Sequence, residues 1–257
     1  MTDVRLLALL AVILCNPSVA RSQSEVTLIA PGGIRTAIEQ LSPGFERKTG
    51  IKVKATFSSG GGAKQQVVRG DAFDVPILQP PYPEVLASGN LVVSSATPLA
   101  SVAVGAAVRK GASKPDISTP RAFKRTLLAA KSICYPDPAG GAAAGVSFDE
   151  TLKKLGIAEQ MEPKIKRAQG GAAAMTMAAR GEVEIGFTFL SEMNESGLDV
   201  IGALPREVST PTSLVGFVSS HAKNPAAAKA LLEYLSSPQA GAIYKANGMQ
   251  PGALTAR

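Results

Sequence analysis

Four times in this chain a short apolar run ends in a cluster of small residues, and a helical pattern follows. One instance is the most explicit. Ile51-Lys52-Val53-Lys54-Ala55 alternates as a strand does, and Thr56-Phe57-Ser58-Ser59-Gly60-Gly61-Gly62-Ala63 is a turn of hydroxyls and glycines. Lys64-Gln65-Gln66-Val67-Val68-Arg69-Gly70 then reads as a short helix with a glycine stop. Residues 25–30, Pro31-Gly32-Gly33 and the helix from Ile34 past Pro43 to Gly50 repeat the scheme. So do residues 132–135, a small-residue turn around Gly140-Gly141, and a helix through Phe148, Leu152 and Leu155. Residues 165–168, Gln169-Gly170-Gly171-Ala172 and a helix through Met175, Met177 and Ala178 repeat it once more. Neighbouring parallel strands need a crossover, usually a helix, so this recurrence predicts an α/β protein built on parallel sheet.

The remaining apolar runs set the topology. Residues 74–78, 184–189 and 200–205 read as strands, and residues 99–109 and 212–219 as two long ones that bracket the middle of the chain. Thr119-Pro120, Asn224-Pro225 and Ser237-Pro238 each start a helix, with Thr119 and Asn224 as caps. The simplest reading is two α/β lobes, 21–98 plus 210–257 and 99–209, joined by two crossings that act as a hinge. Ligands in open α/β sheets bind outside the carboxyl ends of the strands. If those ends face each other, Gly32, Gly33, Ser58, Ser59, Gly60, Gly140, Gly141, Gly170 and Gly171 converge on one cleft. The first N–H groups of a helix have no partner inside it and sit at the positive end of its dipole. Small residues there leave room for an anion. If the anion is a carboxylate, Arg35, in the first turn of the first helix, would add a bidentate contact.

Composition removes other classes. There is no Trp, and aromatics make up 5% of the chain, so a site built on stacked rings is not expected. The net charge of +7 is spread without a basic block, which argues against nucleic acid and for anionic ligands. Arg5, the apolar run 6–14 and Ser18-Val19-Ala20 read as an export signal, residues 1–20, cleaved near Ala20. Its run is too short to span a bilayer. Cys15 invites a lipoprotein reading, but Val12-Ile13-Leu14 lacks the small residue that such a signal places before its cysteine. Cys134 is then the only cysteine left, so no internal disulfide forms, and its apolar setting makes it a small buried hydrophobe. One histidine, His221, excludes a His-dependent triad or a multi-histidine metal site. No metal and no cofactor are expected.

A wider set of motifs carries a family resemblance. They are Leu28 to Gly33, Phe57-Ser58-Ser59-Gly60, Arg69-Gly70-Asp71-Ala72-Phe73-Asp74-Val75, Leu86-Ala87-Ser88-Gly89-Asn90-Leu91, Ala179-Arg180-Gly181-Glu182-Val183-Glu184-Ile185-Gly186-Phe187, and Lys223-Asn224-Pro225 with the helix after it. With these the chain resembles the periplasmic solute-binding proteins of ABC importers, near the molybdate-binding group. The resemblance implies a type II periplasmic binding protein fold, a small anionic ligand, a membrane permease as partner and a periplasmic location. It also implies that the second-turn serine, here Ser59 with Ser58 beside it, grips the ligand. Two positions depart from the molybdate pattern. Pro31-Gly32-Gly33 stands where a hydroxyl is usual, and Phe187-Thr188-Phe189 where a tyrosine is usual, so a di- or tricarboxylate stands beside molybdate as the expected ligand. Some proteins resembling this group isomerise aconitate. That reaction needs a positioned base, for which Asp137 and Glu192 are the candidates.

Overall fold

The computed structural model describes residues 25–252. The export segment and its cleavage point lie outside the described residues, as does Cys15. The chain opens with β1 (Glu25–Pro31), a 3-10 turn (Gly32–Ile34), α1 (Arg35–Thr49), β2 (Lys52–Ser58), α2 (Gly60–Val68), β3 (Val75–Leu78), α3 (Pro83–Ala87) and β4 (Leu91–Val102). β5 (Val104–Arg109), α4 (Pro120–Ala129), β6 (Ile133–Pro136), α5 (Ala143–Lys154), α6 (Ala158–Met161), β7 (Ile165–Ala168), α7 (Gly171–Ala179), β8 (Ile185–Phe189) and β9 (Leu198–Ala203) follow. β10 (Thr212–Ser219), α8 (Pro225–Leu235), α9 (Pro238–Ala246) and β11 (Met249–Pro251) complete it.

These strands form two sheets, ordered β11-β4-β10-β3-β1-β2 and β7-β6-β8-β5-β9. In each, three strands linked by helices are parallel: β1 with β2 and β3, and β6 with β7 and β8. Each sheet also carries antiparallel strands. β10 is antiparallel to β3 and β4, and β5 is antiparallel to β8 and β9. The strands next to the crossings arrive without a helical crossover to turn them round, so they pair head to tail. A correction concerns residues 99–109, expected as one strand. The ladder breaks at Ala103, with β4 in the first sheet and β5 in the second. Leu99, Val102, Val104 and Val108 are buried on both sides of the break, so hydropathy does not mark it. β4 also starts at Leu91, earlier than the sequence suggests, because its first half carries exposed Val92 and Val93 among hydroxyl residues.

The helices pack as their spacing dictates. α1 buries Ala37, Ile38, Leu41 and Phe45 on one face despite Pro43 inside it. α5 buries Phe148 and Leu152, and Phe148 stacks on Phe187 of β8 with ring centroids 4.3 Å apart. Each such buried ring contributes about 1.5–3 kcal/mol by removal from water. The Thr119, Asn224 and Ser237 side chains cap their helices, accepting from the N–H groups of Ala122, Ala227 and Ala240.

Asp74, just before β3, is 2% exposed. Its carboxylate accepts from Thr27 N at 2.8 Å, Thr27 Oγ1 at 2.7 Å, Lys223 N at 2.7 Å and Asn224 N at 3.2 Å. It therefore ties β3 to β1 and to the start of α8. Burial alone would raise its pKa, but the four bonds together hold it below the usual carboxylate range. Cys134 is buried, its Sγ donates to Ala174 O at 3.1 Å, and burial pushes the thiol up to about 12. His221 Nε2 lies 2.9 Å from Asn90 Oδ1, joining the end of β10 to the start of β4.

Candidate functional site

The carboxyl ends of six parallel strands, three from each sheet, open onto one cavity of about 860 Å³. β1 delivers Gly32 and Gly33 to its wall, β2 delivers Ser58, Ser59 and Gly60, and β3 delivers Gln79. From the other sheet, β6 delivers Asp137 and Gly140, β7 delivers Gly170 and Gly171, and β8 delivers Ser191 and Glu192. The four small-residue turns thus meet. Gly141 stands off the wall: its carbonyl accepts from Gly61 N at 3.0 Å, and a Cβ on Gly61 would come within 3.0 Å of Gly141 Cα. A second link crosses the cleft where Ser191 Oγ donates to Gly33 O at 2.7 Å.

The turn after β2 differs from its sequence reading. Gly60, Gly61 and Gly62 are not a loop before the helix but the first turn of α2, and none has a positive φ. Their smallness is used sterically. A Cβ on Gly60 would press on Gln79, one on Gly61 on Gly141, and one on Gly62 on the hydroxyls of Ser58 and Ser59. Ser59 is the N-cap, and its Oγ accepts from Gly62 N at 3.0 Å, which leaves its O–H free to donate into the cavity. The starts of α5 and α7, at Ala142 and Gly170, have no side-chain cap, so their leading N–H groups keep their donor capacity.

Glu192 lies in the cavity wall between the two lobes' turns. A Cβ on Gly171 would overlap its carboxylate, and one on Gly32 would touch its Oε1 at 3.4 Å. Thr188 Oγ1 donates to its Oε2 at 2.5 Å. Burial raises the Glu192 pKa against the opposing hydrogen bonds of Thr188 and the Phe189 backbone. Asp137 also lines the cavity, but its carboxylate is engaged as a turn cap, accepting from Ala139 N at 3.0 Å. Arg35 sits at the rim. Its guanidinium lies 4.3 Å from the Phe57 ring centroid and 3.8 Å from Glu39 Oε1, with more than half of the side chain exposed. Among the described residues, no group of three or more His, Cys, Asp or Glu is placed to hold a metal.

Gln79 and Ser191 are among the wall residues that the sequence reading does not single out. Both occupy the first polar position beyond an all-buried strand, the place where an open α/β sheet meets its ligand. That position was the available signal. Gln79 was hidden by the Pro80-Pro81 pair after it, which reads as a plain strand exit.

A family model for bacterial extracellular solute-binding proteins matches residues 26–250. An aconitate isomerase of Pseudomonas sp. is 31% identical over 255 residues, covering 95% of each chain. The molybdate-binding protein ModA of Azotobacter vinelandii is 28% identical, over 89% of this chain and 91% of its own. The solved structure of the periplasmic molybdate-binding protein from the same organism superposes with a TM-score of 0.73 at 21% identity, covering 89% of this chain and all of that one.

Proposed function

The chain belongs to the bacterial extracellular solute-binding proteins, and from that premise we propose that it captures a small organic anion, a di- or tricarboxylate, for the permease of an ABC importer. On this reading it works in the periplasm after losing residues 1–20 near Ala20. The observation that carries the reading is the convergence of four helix-starting turns on one cavity. Ser59 supplies a hydroxyl, and the uncapped starts of α5 and α7 supply N–H groups. The closing contacts between Gly61 and Gly141 and between Ser191 and Gly33 would form only when the lobes meet, so a ligand touching both lobes shifts the population toward closure.

A carboxylate fits better than a bare oxyanion for two reasons. A cavity of about 860 Å³ is far larger than one tetrahedral anion, and Glu192 places a carboxyl group on its wall. An ionised Glu192 would repel a compact dianion, whereas a longer molecule can set its charges at the helix starts and away from it. Thermal-shift titration of the purified protein with molybdate, sulfate, phosphate and a series of di- and tricarboxylates tests the proposal. A rise in melting temperature with carboxylates is expected. A rise with tetrahedral oxyanions alone would replace the ligand class, and no rise with any anion would remove the reading.

Glu192 favours a second reading. A carboxylate with raised pKa, held by Thr188 in a cleft, is a candidate general base, and the Pseudomonas relative is an aconitate isomerase. Glu192 would take a proton from the CH₂ beside one carboxylate of aconitate. It would return the proton to the far carbon of the three-carbon unit as the double bond shifts, with no net change in atoms or electrons. Following the interconversion of cis- and trans-aconitate at high protein concentration decides it. Turnover that disappears in Glu192→Gln supports the enzyme, and no turnover leaves capture as the function.

A further inference from the structure

Gln79 is a buried amide without a partner among the described residues. It is 1% exposed, it lines the cavity, and neither its Nε2 nor its Oε1 has a hydrogen bond. Buried polar groups are almost always paired, and leaving one unpaired costs free energy. The fold has nevertheless made room for this one. Residue 60 has no backbone need for glycine, yet a Cβ there would stand 2.5 Å from Gln79 Oε1. Ala143 Cβ, from the start of α5 in the other lobe, would lie 3.4 Å from that same Cβ on residue 60. The amide therefore sits at the seam where the starts of α2 and α5 approach.

An amide presents a donor and an acceptor side by side, whichever way it is turned. Carboxylates and fully deprotonated oxyanions such as molybdate and sulfate are acceptors only. Either can satisfy the NH₂ group, but each leaves the carbonyl oxygen facing negative charge. A hydroxyl on the ligand donates to that oxygen while a neighbouring carboxylate accepts from the NH₂ group. We infer that Gln79 is a specificity-determining contact and that the ligand is a small di- or tricarboxylate carrying a hydroxyl group. This deepens the capture reading and rests on it.

Calorimetry with matched pairs tests it: malate against succinate, and citrate against tricarballylate, on the parent and on Gln79→Met. The methionine keeps the length of the side chain and removes both hydrogen-bonding atoms. In at least one pair the parent binds the hydroxylated member about ten- to a hundredfold more tightly, and Gln79→Met brings that ratio to within about twofold. Because the amide has no partner among the described residues, the variant melts near or above the parent temperature. A large fall in melting temperature overturns the inference, since the amide would then be satisfied from within. Equal affinities across both pairs in the parent, or a preference that survives in Gln79→Met, overturns it and leaves carboxylate capture standing. No binding of any of the four overturns capture and this inference together.

Discussion

The two lobes follow one plan and differ in what they do with it. In each, a central strand lies between two parallel partners, β2-β1-β3 and β7-β6-β8. The final helix-to-strand passage of each uses almost the same words, Arg69-Gly70-Asp71 and Arg180-Gly181-Glu182. Gly70 has φ 80° and Gly181 has φ 73°, and the next backbone N–H reaches back to Gln66 O and Met177 O at 3.0 Å. The strands that follow begin after a carboxylate. Asp74 is buried under four bonds, whereas Glu184 is exposed and accepts one, from Lys131 N at 2.7 Å. At the other end of the same strands the chemistry diverges again, to an amide at Gln79 and a hydroxyl and carboxyl at Ser191 and Glu192. The difference teaches a division of labour. The shared backbone places six strand exits around one cavity, while side chains at the strand ends decide which lobe is braced and which carries ionisable chemistry.

The sharpest way to break this comparison is at the braces. Asp74→Ala removes the acceptor of four part-buried hydrogen bonds and is expected to cost about 2–4 kcal/mol, whereas Glu184→Ala costs about 1 kcal/mol or less. Urea midpoints compare them, and equal losses would mean that the two carboxylates brace alike. The Asp74 contribution also has a sign in pH. Its folded pKa is below the unfolded value, so its stabilisation is present above the unfolded pKa and is lost as pH falls through the folded one. An acid titration of stability should therefore be shallower in Asp74→Asn than in the parent.

The next test concerns the small residues that seat the wall side chains. Gly60→Ala would displace Gln79, and Gly171→Ala would displace Glu192 and Thr188. Each is expected to weaken carboxylate binding about tenfold or more, by misplacing groups at the site. Calorimetry reads both, and a loss in only one variant would locate ligand recognition in that lobe. Glu192 has the opposite sign to Asp74. Its folded pKa is raised, so its contribution to the stability of the ligand-free protein is complete below the unfolded value and is lost as pH rises through the folded one. Glu192→Gln should gain on the parent in melting temperature as pH increases through that range, and parallel curves would remove the buried-carboxyl account. The smallest effect is expected at the caps. Ser59→Ala removes the bond to Gly62 N and costs about 1 kcal/mol. The matching position in the second lobe, Gly170, has no side-chain cap to lose.

Much of this plan was legible in the sequence because it rests on local chemistry. The turns at 58–60 and 170–171 announce themselves by glycine and serine at strand ends, and the caps at Thr119 and Asn224 by the proline after each. The unread parts depend on contacts distant in sequence. Ala103 lies inside an unbroken apolar run, and only pairing with β10 on one side and β8 on the other separates β4 from β5. β11 is three residues with a proline, held by β4 rather than by its own pattern. Gln79 carries no motif at all. Its meaning comes from what surrounds it, which is the seam between two helix starts that are more than eighty residues apart in the chain.

The position of Cys134 has a practical outcome. It is the only cysteine among the described residues, it is buried, and its thiol is pushed up to about 12. Thiolate, the form that reacts with labelling reagents, is therefore nearly absent at neutral pH. In protein prepared without residues 1–20, and so without Cys15, an engineered cysteine at the cleft rim, for instance Asn194→Cys at an exposed wall position, would take up an environment-sensitive dye alone. The described fold thus suits a single-site fluorescent readout of lobe closure with Cys134 left in place.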